Sequence, residues 1–181
     1  RFPHNDDSGK PKHLLDVACG QGGDIPRWIS KYSSEDSILG IDLYQQNIDN
    51  AKKRKITYSE RGQIPDITFI EGDTSYNILS SLEGKDGACI VDGSNIDLAG
   101  YFTKHHTHTG ESLVEKFDVV SCQFAIHYFF QSRDKFRGLI QNVIELLKPN
   151  GYFLVTCLDG DKVNEKLESV NNIIYNQNQS F

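Results

Sequence analysis

The 181-residue chain contains no methionine, a single tryptophan and five prolines, and its four cysteines, at positions 19, 89, 122 and 157, form no C-x-x-C pair. Cysteines scattered in this way exclude a disulfide framework and a cysteine-built zinc site, so a reducing interior is the expected compartment. Long apolar runs are missing too. Stretches such as Cys89 to Val91 and Phe153 to Val155 fall far short of the roughly 20 residues a membrane helix needs. Positive charge is scarce: 19 Lys and Arg face 25 Asp and Glu, a formal net charge of -6. That balance argues against a surface that grips a polyanion all over, while leaving room for one local basic track. The only dense cationic run, Lys52-Lys53-Arg54-Lys55, reads as the solvated end of a helix, with phosphate contact as the alternative. The segment after Arg1 is polar rather than an apolar leader. With no methionine to start it, the chain reads as an excised piece of a longer polypeptide.

What is present fits one α/β domain over residues 1–181: 38% hydrophobic, 24% charged and 10% aromatic residues, in a chain long enough to bury a sizeable core. His13 to Ala18 is a short apolar run that stops at Gly20-Gln21-Gly22-Gly23, a strand and then a turn. Asp24 and Pro26 open a short helix through Trp28, Ile29 and Tyr32. A second strand, Ser37 to Leu43, is followed by a polar helix over Gln45 to Ile56, and a third strand, Ile67 to Glu71, by a short helix through Ile78, Leu79 and Leu82. Glu83 to Glu115 breaks this rhythm and reads as an insertion. Phe117 to Cys122 is a fourth strand, Phe136 to Leu147 a strongly amphipathic helix, Tyr152 to Leu158 a fifth strand and Asp161 to Val170 a last helix. Asn171 to Phe181, rich in Asn and Gln, reads as a fraying or truncated edge. Alternating β and α elements predict a mostly parallel twisted sheet with helices on both faces, whose ligands bind beyond the carboxyl ends of the strands.

The chemistry-bearing residues stand at those ends. The glycines after the first strand allow a sharp turn and close backbone approach to a ligand, as in a nucleoside-cofactor loop. A dinucleotide fingerprint would need glycine at position 25, which is Ile25, and a P-loop would need a Gly-Lys-Ser/Thr ending. Asp42 ends the second strand 22 residues past Gly20, where a carboxylate can accept both hydroxyls of a ribose. Asp73, at the end of the third, could meet an adenine amino group. Each aspartate alone could equally be a turn or cap residue; one at each of three successive strand ends is harder to explain that way.

Taken together, the chain resembles the class I S-adenosylmethionine-dependent methyltransferases, with their Rossmann-like fold, and within them the mRNA cap guanine-N7 methyltransferases over residues 12 to 165. The family's glycine loop, L-D-x-x-C-G-x-G-G-D-L-x-K-W/Y, is matched by Leu15-Asp16-Val17-Ala18-Cys19-Gly20-Gln21-Gly22-Gly23-Asp24-Ile25-Pro26-Arg27-Trp28. Its hallmark Q-F-x-x-H-Y block is matched by Gln123-Phe124-Ala125-Ile126-His127-Tyr128. Leu147-Lys148-Pro149-Asn150-Gly151 is shared with many methyltransferases. Gln21 departs from the usual Lys or Arg, Ala18 from a glycine, and Leu158 from a proline frequent in cellular members. With Asp159-Gly160-Asp161-Lys162, the wording is similar above all to the methyltransferase domain of capping enzymes of large DNA viruses, where that domain often ends a larger polypeptide.

The resemblance implies S-adenosylmethionine as cofactor, S-adenosylhomocysteine as its product, and no metal. Asp16 and the turn Gly20, Gln21, Gly22 would hold the methionyl end; Asp42 would bind the ribose, with Leu43 a further contact; Asp73 and Thr74 would take the adenine. Gln123 and Tyr128 would lie near the sulfonium, and Tyr76, Phe124, His127 and Tyr128 would line the guanine pocket. His127 and Tyr128 are then the catalytic candidates, as orienting groups, because guanine N7 carries an in-plane lone pair and needs no general base. The implied partner is the guanosine-capped 5′ end of RNA, with other capping domains of the same polypeptide or a stimulatory subunit beside it and no membrane. The implied location is intracellular, cytoplasmic or in the virion for a viral protein and nuclear for a cellular one. For His127 the alternative is a buried histidine satisfying a carbonyl, and for Phe124 core packing. His105-His106-Thr107-His108 lacks an acidic or sulfur partner at metal-ligand spacing. Still open are a methyltransferase for a small molecule or another nucleic-acid position, a non-catalytic module that stimulates a partner, and, third, a dinucleotide-dependent oxidoreductase.

Overall fold

The computed structural model describes residues 12–82, 89, 95–105 and 116–178. Five strands, β1 (His13–Asp16), β2 (Ser37–Asp42), β3 (Asp66–Glu71), β4 (Phe117–Gln123) and β5 (Leu147–Thr156), form one sheet in the order β3-β2-β1-β4-β5. Every pairing is parallel. The chain therefore builds outward from β1 on one side, crosses back, and continues from β4 on the other. This leaves a crevice at the carboxyl ends of β1 and β4, where the direction of winding reverses.

Period-two alternation explains why both faces are covered. Leu14, Ile38, Ile67, Phe69 and Val119 point into one cluster, completed by Ile25 and Trp28 of α1 (Ile25–Ile29) and Ile48 and Ala51 of α2 (Gln45–Ser59). Their neighbours Leu15, Leu39, Ile70 and Val120 point into a second. There they meet α3 (Ile78–Leu82), α4 (Asn95–His105), Phe129 of α5 (Ile126–Phe129), and Leu139, Val143 and Leu146 of α6 (Arg133–Leu146). Strands buried on both faces are what crossover helices require. The last helix, α7, spans Gly160–Asn178. Among the described residues no helix is long and apolar enough to cross a membrane.

Four expectations need correction. The break in the rhythm expected over 83–115 is not complete, because α4 lies within it and buries Leu98, Tyr101 and Phe102 in the core. The Tyr101 hydroxyl lies 2.7 Å from Ser37 Oγ, which lies 2.7 Å from His13 Nδ1, tying α4 to the amino ends of the strands. The helix was illegible because its apolar positions sit between glycines and polar residues rather than in a long stripe. Second, Lys52 to Lys55 lie in the interior of α2 rather than at its end. Lys52, Lys53 and Arg54 are exposed, while Lys55 Nζ donates to the Ile67 carbonyl. Third, α7 continues to Asn178 instead of fraying from Asn171. Fourth, β5 starts earlier than expected: Leu147 pairs with Phe117, Lys148 to Gly151 bulge out with Asn150 at φ 65°, and pairing resumes at Tyr152 opposite Val119.

Helix α6 fixes the loop after β3. Gly138 faces that loop so closely that a Cβ would stand 1.7 Å from the Ser75 carbonyl oxygen. Buried Asn142 accepts from the Ile78 N–H at 2.9 Å and donates to the carbonyls of Thr74 (2.9 Å) and Tyr76 (2.8 Å).

Candidate functional site

The site is assembled from four strand ends. After β1 the chain remains stitched to both neighbours: Val17 N–H donates to the Ser121 carbonyl and Cys19 N–H to that of Ile41. It then turns on Gly20 and Gly22, at φ 53° and 70°, a left-handed conformation that suits glycine. At Gly22 space matters as well, since a Cβ would stand 2.7 Å from Ile25 Cδ1. Asp42, at the end of β2, accepts from the Gly20 N–H at 2.9 Å through one carboxylate oxygen. Its other oxygen accepts from the Tyr44 N–H (3.1 Å) and Asn47 Nδ2 (2.8 Å). One carboxylate thus joins the glycine turn to the start of α2.

After β3, Asp73 Oδ1 accepts from the backbone and hydroxyl of Ser75, closing a tight turn, and the Thr74 hydroxyl donates to the Val17 carbonyl at 2.7 Å. After β4, Phe124 sits at φ 55°. A left-handed bulky residue is strained by about 1–2 kcal/mol, the kind of cost that persists at functional sites. Here it swings the chain off the sheet into α5 and leaves Phe124, His127 and Tyr128 exposed, so the core reading of Phe124 and the buried reading of His127 both fall. The His127 and Tyr128 rings lie 4.1 Å apart.

These ends surround one cavity of about 880 Å³, within the range of small-ligand sites. Of the residues expected in a site, Gly20, Asp42, Leu43, Asp73, Thr74, Gln123, Phe124, His127 and Tyr128 line it. Asp16, Gln21, Gly22 and Tyr76 do not: Asp16 and Gly22 lie beneath the surface, and Gln21 and Tyr76 are exposed off the lining. Gln123 lines the cavity, but its amide is engaged with the sheet: Nε2 donates to Ser121 Oγ and the Leu154 carbonyl, and Oε1 accepts from Thr156. Tyr44, Asn47, Phe130 and Lys135 line it without having been expected. Tyr44 and Asn47 follow so closely on Asp42 that the strand end itself was the available signal.

Asp16 is buried beneath the glycine turn, 1% exposed, and its Oδ1 has no hydrogen-bond partner among the described residues. Burial first, then the carboxylate of Asp24, pushes it up to about 7; the Ala18 N–H works the other way, and Asp42 adds to the rise. A partnerless buried carboxyl under a glycine turn fits a cationic group, such as a ligand amine. Because the folded value is raised, the stability Asp16 contributes is complete below about pH 4 and is lost as pH rises through about 7. Asp16→Asn is therefore expected to lose less stability than wild type between pH 4.5 and pH 8, by on the order of 2–4 kcal/mol. Urea unfolding at the two pH values tests this, and parallel profiles would contradict it. Burial also raises the Cys19 thiol and pushes Cys122 up to about 12, so both act as apolar packing rather than as thiolates.

Of the histidine cluster, His105 ends α4 with Nε2 2.8 Å from Asp66 Oδ2, while His106, Thr107 and His108 lie outside the described residues. Among the described residues no group of three His, Cys, Asp or Glu stands close enough to hold a metal.

A family model described as the mRNA (guanine-N(7))-methyltransferase domain matches residues 2–178. The chain belongs to this family. It is 28% identical over 162 residues to the mRNA cap guanine-N(7) methyltransferase of Caenorhabditis elegans, covering 88% of this chain and 34% of that protein. To the Schizosaccharomyces pombe enzyme of the same name it is 30% identical over 161 residues, covering 89% and 35%. To the probable mRNA-capping enzyme of Acanthamoeba polyphaga mimivirus it is 28% identical over 161 residues, covering 86% and 13%. The chain thus spans about a third or less of these relatives. Among solved structures, the plantazolicin methyltransferase BamL, in complex with a triazolic desmethylPZN analog and SAH, matches with a TM-score of 0.54 at 20% identity over 87% of this chain and 42% of that one. That likeness bears on the fold, the class I methyltransferase fold expected from the sequence.

Proposed function

We propose that this site transfers a methyl group from S-adenosylmethionine to N7 of the terminal guanine of capped RNA, producing S-adenosylhomocysteine and completing the N7-methylated cap. The observation that carries this reading is the shared lining: one cavity is bounded by the glycine turn with Asp42 and Asp73 and by Phe124, His127 and Tyr128 of the Q-F-x-x-H-Y block. When bound, the cofactor supplies an electrophilic methyl on a positively charged sulfur. The residues fit it. Asp16, buried beneath the glycine turn with no Oδ1 partner among the described residues, supplies a carboxyl for the α-amino group, the glycine turn allows close approach, and Asp42, with three acceptor sites already used, keeps one for a ribose hydroxyl.

Guanine N7 is already nucleophilic, so this chain holds and aims rather than moving a proton. His127 and Tyr128, side by side and exposed to the cavity, give the guanine edge hydrogen-bonding partners, and Phe124 gives its face an apolar wall. The carboxylates of Asp42 and Asp73 favour a cationic ligand beside that base.

His127→Ala is expected to lower kcat for methyl transfer to capped RNA by about 10²-fold, in line with loss of an orienting contact. Its affinity for S-adenosylhomocysteine should stay within about twofold of wild type. An unchanged rate would remove His127 from the acceptor site, and an equal loss of cofactor affinity would place it in the cofactor site instead.

A further inference from the structure

The cavity extends past the residues given to cofactor and guanine. Two residues beyond Tyr128, Phe130 lines it and is mostly exposed, with its ring braced by Phe136 at 5.1 Å between centroids. Braced by Phe136 yet mostly exposed, the Phe130 ring offers a held aromatic face at the cavity. Along α6, Lys135 is the one lysine or arginine among the described residues of the lining, in a chain of net charge -6 and in a lining that also holds Asp42 and Asp73. Its backbone N–H is taken up by Ser132 Oγ at 3.2 Å, while no salt bridge to its ammonium is found among the described residues. A partly buried lysine with no carboxylate partner among the described residues is suited to an anion that arrives with the ligand.

From this pairing we infer that Phe130 and Lys135 form a shelf for the first transcribed nucleotide of the capped RNA, Phe130 stacking on its base and Lys135 holding the phosphate bridge that joins it to the guanosine. The assignment rests on the cap-guanine reading of the neighbouring residues. Chemically, a capped end leaves its guanosine as a triphosphate and continues into a nucleobase, so an anion site and a flat apolar face must follow the guanine pocket in that order. Phe130 and Lys135 supply both, on consecutive elements, α5 running into α6. The shelf makes the protein select for a guanosine already joined to RNA over a free guanosine nucleotide. Stacking of one base on an aromatic side chain accounts for about a tenfold preference.

The test is calorimetric binding of the dinucleotide GpppG and of GTP to the protein saturated with S-adenosylhomocysteine, which needs no turnover. Wild type is expected to bind GpppG about tenfold more tightly than GTP. Phe130→Ala and Phe130→Leu should bring that ratio to about 1, the leucine variant separating loss of stacking from loss of volume. Lys135→Ala should weaken both nucleotides and flatten the dependence of binding on salt, and Lys135→Arg should restore both. Equal affinities in wild type, or a ratio unchanged by both Phe130 substitutions, would overturn the shelf while leaving the guanine pocket standing. Failure to bind either nucleotide would overturn the cap-guanine reading and the shelf with it.

Discussion

Replacing Asp42 by alanine is expected to weaken S-adenosylhomocysteine binding by about a hundredfold or more, the largest functional effect of any single substitution in the site. Two losses add. The carboxylate accepts from Gly20, Tyr44 and Asn47, so its removal frees the glycine turn from the start of α2 and lets the cavity wall move. It also removes the charged acceptor for a ribose hydroxyl, and a hydrogen bond to a charged group contributes about 1.5–3 kcal/mol. Asp42→Asn keeps one oxygen and should lose less than the alanine variant. Isothermal titration with S-adenosylhomocysteine, beside thermal unfolding of each variant, is the check. An Asp42→Ala protein that binds the ligand as wild type does would show that the ribose is held elsewhere.

Asn142→Leu is the change expected to cost most stability. The leucine side chain keeps the branching and the heavy-atom count, but three buried or half-buried backbone groups, the Ile78 N–H and the Thr74 and Tyr76 carbonyls, lose their partner at once. At about 1–3 kcal/mol for each group left unsatisfied, the sum is roughly 3–9 kcal/mol, a large part of the stability of an ordinary domain. The released segment carries Asp73 and Thr74, so ligand affinity should fall along with the midpoint of urea unfolding. A loss under about 1 kcal/mol would mean that the loop after β3 is held by Gly138 packing and its own turn rather than by this amide.

Both residues bear on how much was legible beforehand. The place of Asp42 was readable: a carboxylate closing the second strand, 22 residues past Gly20, was expected at the site and lines the cavity. Asn142 was invisible: it lies between Leu139 and Val143 on the buried stripe of α6, where periodicity alone asks only for a hydrophobe, and its partners are 64 to 68 residues away. The same limit explains α4, whose buried Leu98, Tyr101 and Phe102 are too few to outweigh their glycine-rich surroundings. The alternation of strands and helices, the parallel sheet covered on both faces and the placement of the motif residues at strand ends follow from local pattern and are reproduced in the structure; the order of the strands within the sheet does not follow from it. Side-chain engagement does not follow from it. Gln123 stands where the family pattern requires, yet its amide bonds to the sheet. Lys135 and Phe130 carry no motif, because a charge and an aromatic on a helix ordinarily read as solvated face and core.

The measurement that bears most directly on the central claim is transfer of labelled methyl from S-adenosylmethionine to RNA ending in an unmethylated guanosine cap, with uncapped RNA and an already N7-methylated cap alongside. The label is expected on N7 of the cap guanine and in neither control. Label on another position or on uncapped RNA, or cofactor binding with no transfer to the cap, would contradict the assignment of this site to the cap guanine.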